Sequence, residues 1–286
     1  MQILASTGCL PWWFPLRERF RLLRDAGVDG VELLLTPRLL RTDPLAIAAI
    51  AAEQGLPILS VHTTLRLRRP APRVAEQDIL ESARFAAGLP ECRVLVVHPP
   101  PAGASRASWL RALAHALDIL GPSVTVGIEN PERQRGSATA PFQSFEYLLR
   151  FAEEWQVGIV CDVSHVASHG WDLVATLRTS LARLVGVHLS DASDTDWRCG
   201  LLNALLRDHR LPGQGNLPLV STLQLLRRAR YSGFVTVEVS PLRLAALRRQ
   251  ETLERFAQVV DFIRSVIDPQ SPQRSHRATG GYAPNT

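Results

Sequence analysis

The sequence contains no lysine, and all 32 of its basic residues are arginine. This absence excludes a Schiff-base lysine, a pyridoxal phosphate aldimine and the lysine of a phosphate-binding P-loop, because each of them requires a primary amine. Covalent amine catalysis is therefore excluded. Metals, carboxylates and histidines remain as the groups on which the chemistry of this chain would depend.

Cysteine is scarce, and its spacing forms no motif. The four cysteines are scattered and include no C-x-x-C pair, which argues against a zinc knuckle and against a disulfide framework. The sequence also lacks an apolar run of 18 residues and the basic start of a signal peptide, so neither a membrane span nor secretion is predicted. We expect reduced thiols in a cytoplasmic protein.

The excess of positive charge is modest. The formal net charge is +5, and the basic residues are spread along the chain. Such a balance permits a phosphate-bearing or nucleic-acid partner but does not require one.

Short β-branched runs alternate with longer helical patterns. Strands are predicted at 2–6, 30–35, 57–62, 93–98, 124–130, 157–162, 184–189 and 233–239. Helices are predicted at 16–26, 43–54, 76–88, 105–120, 142–155, 171–180, 218–230 and 242–267. Eight strands, each followed by a helix, predict a single-domain α/β protein, a (β/α)₈ TIM barrel over residues 1–267. A doubly wound sheet is the alternative, but no G-x-G-x-x-G follows the first strand. Residues 268–286 are rich in Pro, Ser, Gly and Arg and predict a disordered tail.

Alternation within the strands separates two faces. One face is apolar and β-branched, as a surrounding ring of helices requires; in the seventh strand Val185 and Val187 are assigned to it. The opposite face ends, in four strands, in an ionisable residue near the carboxyl end. These residues are Glu129, Asp162, His188 and Glu238. A closed barrel would bring all four together at one mouth, whereas an open sheet would not.

Three carboxylates and one imidazole form a donor set that suits a divalent cation. Mn²⁺, Mg²⁺, Co²⁺ and Zn²⁺ are all compatible with it, and the oxygen donors favour the first two. Each residue taken alone could be a capped loop or a solvated carboxylate. The set of four favours a metal site, because clustered buried carboxylates are costly without a cation.

Four more histidines lie at strand ends or in the loops directly after strands. His62 and His98 could add nitrogen ligands for a second metal that shares Glu129, could bind substrate hydroxyls, or could simply be satisfied within the fold. His165 lies three residues after Asp162, and His209 precedes a Pro- and Gly-rich turn. We assign these last two histidines to substrate binding.

Two further features are ambiguous. Trp12 and Trp13 lie in the loop after the first strand, where their rings could pack on a sugar or a base, or could fasten the loop to the first helix. Glu32 has the inward parity of the second strand, and it either forms a hydrogen bond within the barrel or reaches the site.

Seven strings in order carry a family resemblance. They are GVELLL, VVHPP, IENPE, CDVSH, GVHLSD, HRLPGQGNLPL and FVTVEVS, and they resemble the xylose isomerase-like barrel superfamily over residues 1–265. Sugar isomerases and epimerases, inosose dehydratases and endonuclease IV share this fold. The resemblance implies that Glu129, Asp162, His188 and Glu238 are metal ligands. It matches His62 and His98 to a further metal of the endonuclease branch, and His165 and His209 to that branch's third metal.

The sequence departs from the family patterns at two places. The endonuclease pattern has an aspartate two residues before the last loop histidine, where this chain has Arg207. A guanidinium cannot ligate a metal, so one or two metals are predicted rather than three. The substrate-binding arginine of the sugar epimerases has no clear match, although Arg198 lies in the corresponding loop and is assigned to substrate binding.

Three functions remain open. The first is a metal-dependent isomerase or epimerase of a sugar or sugar phosphate, in which Glu129 and Glu238 transfer a proton α to a metal-polarised carbonyl. The second is a hydrolase of phosphodiesters or amides with two or more metals, one of them held by His62 and His98. The third is a barrel that only binds a sugar or an effector. We expect a small sugar-like partner rather than nucleic acid, and a homo-oligomer stays open.

Overall fold

Eight parallel strands close into a barrel in the computed structural model, which describes residues 1–64, 72–100, 104–134, 141–193, 207–245 and 248–269. The strands are β1 (Gln2–Ser6), β2 (Gly30–Leu34), β3 (Ile58–His62), β4 (Val94–Val97), β5 (Thr125–Glu129), β6 (Gly158–Asp162), β7 (Leu184–Leu189) and β8 (Phe234–Val237). Each strand pairs with its neighbours in chain order, and β1 pairs with β8 to close the ring. The predicted single-domain (β/α)₈ barrel is confirmed.

The described residues form nine α-helices around the barrel. They are α1 (Leu16–Ala26), α2 (Pro44–Ala52), α3 (Pro72–Ala87), α4 (Arg106–Leu120), α5 (Phe145–Glu154), α6 (Val163–His169), α7 (Leu173–Ser180), α8 (Leu219–Arg228) and α9 (Arg249–Ile267). Among these helices none is both long enough and apolar enough to span a membrane. Eight of them correspond to predicted helices, although α9 begins at Arg249 rather than at 242.

The short helix α6 lies in a segment that the sequence pattern left as a loop. It begins directly after β6, because the carboxylate of Asp162 accepts hydrogen bonds from the backbone N–H groups of Ser164 and His165. A side-chain acceptor at this position satisfies N–H groups that have no partner inside the helix. The cap therefore fixes the backbone immediately beyond the strand.

Apolar side chains pack on both faces of the strands, in one layer outside the barrel and another inside it. The larger layer lies between the strands and the helices. The smaller layer fills the inside of the barrel with six side chains: Leu4, Leu59, Val94, Val96, Val160 and Phe234. These side chains occupy the interior toward the amino-terminal ends of the strands, so the polar residues of the strands gather at the carboxyl ends.

The assignment of Val185 to the outer face is wrong. The pairing of β6 with β7 shifts its register between Ile159 and Val160, and Val185 packs against the inner apolar cluster. Space for it comes from Gly158, where a Cβ would lie 2.6 Å from the Val185 methyl groups, and from Gly127, where it would lie 3.0 Å away. The bulge thus turns one valine inward, while His188 keeps its inward direction.

The predicted tail begins at Asp268, directly after α9. Asp268 and Pro269 are described, and the rest of the tail, 270–286, lies outside the described residues.

Candidate active site and cation-binding groups

Four residues from neighbouring strands converge at the carboxyl end of the barrel. Glu129 ends β5, Asp162 ends β6, His188 lies in β7, and Glu238 directly follows β8. One ligand atom from each residue lies within 4.8 Å of those from the other three. Asp162, His188 and Glu129 are buried, whereas the Glu238 side chain is 22% exposed and faces the opening.

His188 is surrounded by carboxylates. Its Nδ1 lies 2.6 Å from Oε2 of Glu238 and 3.2 Å from Oε1 of Glu129, and its Nε2 lies 3.2 Å from Oε1 of Glu32. Burial alone would lower the pKa of His188, but the three carboxylates raise it well above its usual value. The imidazole carries a positive charge in this arrangement. His98 and His188 together lower the pKa of Glu129, and His188 lowers the pKa of Glu238.

A second group lies beside the first and shares Glu129. Nε2 of His62 and Nε2 of His98 lie 3.2 Å apart, and Oε2 of Glu129 lies 3.2 Å from the former and 3.1 Å from the latter. Atoms bound to one tetrahedral zinc are separated by about 3.3 Å, since Zn–N and Zn–O distances are about 2.0–2.1 Å. The three atoms therefore have the spacing of a set of ligands around one ion.

Asp162 provides an independent test of whether these residues fit a cation. Its Oδ1 accepts hydrogen bonds from Ser164 and His165 at the start of α6. Its Oδ2 is also buried, yet it has no hydrogen-bond partner in the described part of the chain. An unsatisfied carboxylate oxygen in a dry site is costly, and a divalent ion held with Glu129, His188 and Glu238 would satisfy it. The donor set fits such an ion.

A third group comprises Asp162, His165 and His209. Nδ1 of His165 donates to the carbonyl of Asn130 at 2.8 Å, and Nδ1 of His209 donates to the carbonyl of Glu238 at 3.1 Å. A carbonyl only accepts, so each ring is left with Nε2 to contact a ligand. Burial would lower the pKa of His165, but Asp162 and Glu129 raise it to about 9.

Arg207, the residue that departs from the endonuclease pattern, is held by two carboxylates. Its Nε lies 2.7 Å from Oδ1 of Asp208, and its Nη2 lies 2.9 Å from Oε1 of Glu132. The guanidinium is buried in these ion pairs and contributes positive charge near the third group. It cannot act as a ligand to a metal.

Comparison with known proteins places the chain in a family. The family model of the xylose isomerase-like TIM barrel matches residues 20–266. The chain belongs to the xylose isomerase-like TIM barrel family. An uncharacterised protein of Mycobacterium leprae is 26% identical over 277 residues, which cover 84% of this chain and 90% of that protein.

Solved structures share the xylose isomerase-like fold. Escherichia coli 3-keto-D-glucoside 4-epimerase has a TM-score of 0.68 at 19% identity and covers 93% of this chain and 99% of its own. The IOLI protein, solved with a bound zinc atom, has a TM-score of 0.72 at 17% identity and covers 93% of this chain and 98% of its own. At such identities the likeness establishes the fold.

The loop that carries His209 in this xylose isomerase-like barrel is anchored by Asp191. The Asp191 carboxylate accepts hydrogen bonds from the backbone N–H groups of Gly213, Gly215 and Leu217 at 2.8–3.1 Å. A Cβ at Gly215 would lie 2.3 Å from the Asp191 side chain, so a larger residue does not fit there. The role of Asp191 was missed in the sequence, where its only signal is a carboxylate soon after a strand end, in LSD.

Asn130 was also missed. Its side-chain oxygen accepts from the backbone N–H of Asp162 at 2.7 Å, and its side-chain nitrogen donates to the Asp162 carbonyl at 3.1 Å. These two bonds join the ends of β5 and β6 and fix the spacing between Glu129 and Asp162. The signal in the sequence is an amide directly after the strand-end glutamate, in IEN.

Trp12 and Trp13, two further substrate-binding candidates, lie on the surface. The rings of Trp12 and Trp13 are 78% and 55% exposed and contact each other edge to face. The neighbouring Phe14 packs into the core and contacts the ring of Trp13 edge to face. Arg198 lies in 194–206, outside the described residues.

Proposed function

We propose that the protein is a metal-dependent isomerase or epimerase of a sugar or sugar phosphate. The observation that carries this proposal is the convergence of Glu129, Asp162, His188 and Glu238 within 4.8 Å, with a buried oxygen of Asp162 that lacks a donor among the described residues. The fold shared with 3-keto-D-glucoside 4-epimerase and with the zinc-containing IOLI protein supports the substrate class and the cation.

The four converging residues would hold a divalent ion, one of Mn²⁺, Mg²⁺, Co²⁺ or Zn²⁺. Such an ion, when bound, polarises a carbonyl and stabilises negative charge that develops on its oxygen. Asp162 offers its buried Oδ2, which has no hydrogen-bond partner among the described residues, and His188 offers Nδ1. Their part is to hold the ion, while the remaining chemistry falls to the two glutamates.

Glu129 and Glu238 exchange the proton. They reach the site from β5 and β8, and both contact the same nitrogen of His188, so a substrate bound above the imidazole lies between them. One ionised carboxylate removes the proton α to the carbonyl, while the other takes up a proton from solvent and delivers it to the neighbouring carbon or to the opposite face; the first then releases its proton to solvent. His188 lowers the pKa of Glu238 to about 2, against the effect of burial, so that this base is ionised at neutral pH.

Other residues position the substrate. His165 and His209 flank the site and would orient hydroxyls or a phosphate group, with Arg207 nearby as fixed positive charge. The exposed rings of Trp12 and Trp13 would pack on an apolar sugar face. Arg198 retains the same assignment from the sequence.

Solvent exchange tests the proposal directly. The protein, loaded in turn with each of the four ions, is incubated in D₂O with a panel of ketoses and their phosphates, and deuterium uptake is followed by NMR. We expect uptake at a carbon α to the carbonyl of at least one substrate, because the transferred proton is shared with solvent. If no ketose takes up deuterium with any of the four ions, the proposal is wrong.

A metal-dependent hydrolase is the second candidate, and the triangle of His62, His98 and Glu129 favours it. His62, His98 and Glu129 would hold one ion and the four converging residues another, and two such ions would supply Lewis-acid activation of water for attack on a phosphodiester or an amide. Two tightly held zinc ions per chain, with hydrolysis of bis(p-nitrophenyl) phosphate that is lost in His98→Asn, would select this function. Binding of abasic DNA that weakens with salt would identify a nucleic-acid substrate.

A further inference from the structure

Glu32 is a buried carboxylate beneath the candidate cation site. It lies on β2, across the barrel from His188, and is 2% exposed. Its pairing places it beside Ser6 on one neighbouring strand and Ser60 on the other. Two residues earlier in β2, Gly30 pairs with Leu4 of the inner apolar cluster, so Glu32 stands between that cluster and the polar end of the barrel.

Two donors meet the Glu32 carboxylate. The hydroxyl of Ser60 donates to Oε2 at 2.8 Å, and Nε2 of His188 lies 3.2 Å from Oε1 and 3.3 Å from Oε2. An ionised carboxylate only accepts hydrogen bonds, so the proton between the two groups belongs to Nε2 of the imidazole. The opposite nitrogen, Nδ1, is then the one that faces Glu129 and Glu238.

This arrangement has a consequence for metal binding. A histidine binds a metal through one unprotonated nitrogen, and a hydrogen bond from its other nitrogen fixes both the tautomer and the direction of the ring. We propose that Glu32 is a positioning residue, which holds the proton of His188 on Nε2 and thereby presents Nδ1 to the cation. The inference rests on the cation site of the proposed function.

Packing alone does not account for Glu32. A carboxylate next to the inner apolar cluster is costly to bury, and a leucine of similar volume would fill the same space without that cost. Ser60 and His188 both form hydrogen bonds with Oε2, and Oε1, which lies 3.2 Å from Nε2 of His188, has no hydrogen-bond partner among the described residues. The contact with His188, 156 residues away in the chain, is what the ionised group contributes.

Cobalt(II) provides the probe for the first test. Its affinity and visible spectrum are measured in the wild-type protein, in Glu32→Gln and in Glu32→Leu. We expect Glu32→Leu to weaken cobalt binding by about 10–100-fold and to shift the spectrum, since the ring loses its orienting acceptor. Glu32→Gln keeps an acceptor oxygen and should restore most of the affinity.

Asp29→Asn is the matched control. Asp29 precedes β2 at the opposite end of the barrel, where its carboxylate accepts from the backbone N–H of Ile3 and pairs with Arg264. A change there should lower stability without altering cobalt affinity. If Glu32 has only a structural role, Glu32→Leu and Asp29→Asn will both lower the melting temperature, and neither will change the cobalt affinity or the cobalt spectrum.

The tautomer of His188 provides the second test, which does not depend on the folding of Glu32→Leu. Long-range ¹H–¹⁵N spectra of the zinc-loaded protein report which ring nitrogen carries the proton. We expect Nε2 to carry it in the wild-type protein. A proton on Nδ1, or wild-type cobalt affinity in both Glu32 variants, overturns this inference alone. A wild-type protein that binds neither cobalt nor zinc overturns the cation site itself and, with it, this inference.

Discussion

Nε2 of His62 faces Nε2 of His98 across 3.2 Å at the mouth of the barrel. Nδ1 of His62 donates to the carbonyl of Thr63 at 2.7 Å, so the ring has no other nitrogen to offer. Burial lowers the pKa of His98 to about 4, which leaves that ring neutral at pH 7. Two imidazole nitrogens directed at each other and at one carboxylate oxygen are the arrangement that a shared cation stabilises.

Zinc stoichiometry tests this arrangement. We expect His98→Asn to lower the zinc content of the saturated protein by about one equivalent, because the triangle loses one of its three ligands. The four-residue group, formed by Glu129, Asp162, His188 and Glu238, should keep its ion. Elemental analysis after dialysis measures the change, and His115→Asn on the outside of α4 provides the control. Equal zinc content in wild type and His98→Asn would remove the second cation site.

Glu238→Gln should abolish turnover and leave the fold intact. The side chain lies at the opening, so an amide of the same shape fits without repacking. The loss of a positioned proton acceptor costs about 10²–10⁴-fold in rate. Deuterium uptake by a turned-over ketose measures the effect, and Glu146→Gln on the exposed face of α5 is the matched control. Undiminished uptake in Glu238→Gln would exclude this residue as an acid or base.

Cation affinity should rise with pH. The pKa of His188 is raised well above its usual value, so the metal-free imidazole is protonated at pH 7 and must release a proton when Nδ1 binds an ion. Glu238 is already ionised and releases none. The apparent affinity should therefore increase about tenfold per pH unit until the pH reaches the pKa of His188, and level off above it.

Calorimetry in buffers of different ionisation enthalpy measures this release at pH 7. The expected result is about one proton per ion bound at the four-residue group. An affinity that is the same at pH 6 and pH 8, with no proton released, would show that His188 is not a protonated ligand.

The bulge at Val185 makes a prediction about stability. Gly158→Ala places a methyl group against Val185 and should lower the free energy of unfolding by about 1–3 kcal/mol. Val185→Ala removes that clash, so the double variant should lose less than the sum of the two single changes. Urea denaturation measures all three variants. Additive losses would show that Gly158 and Val185 do not interact.

The parts of the fold that follow from local pattern were predictable. The eight strands and eight helices have the periodicities expected of a barrel, and strand-end residues such as Glu129 and His188 converge because parallel strands end at the same face. Membership of the xylose isomerase-like family, implied by seven short strings, is confirmed by the family match.

The parts that depend on contacts between distant strands were not predictable. The inward turn of Val185 follows from a register shift against β6, which alternation within β7 does not reveal. Helix α6 depends on a cap from Asp162, a residue assigned only to the metal. The sequence left two roles open for Glu32, a hydrogen bond within the barrel or a place at the site. The partner that decides between them, His188, is 156 residues away in the chain and becomes visible only in the structure.

Glu129 belongs both to the group with Asp162, His188 and Glu238 and to the group with His62 and His98. It directs Oε1 to the first group and Oε2 to the second. Occupancy of one group therefore changes the charge that the other presents, and linkage requires the effect to be equal in both directions. A cation at the histidine pair would draw electron density from the carboxylate and weaken it as a base, whereas an empty pair would leave it free to accept a proton. A second ion would therefore alter the basicity of Glu129, the group on which the proposed proton transfer depends.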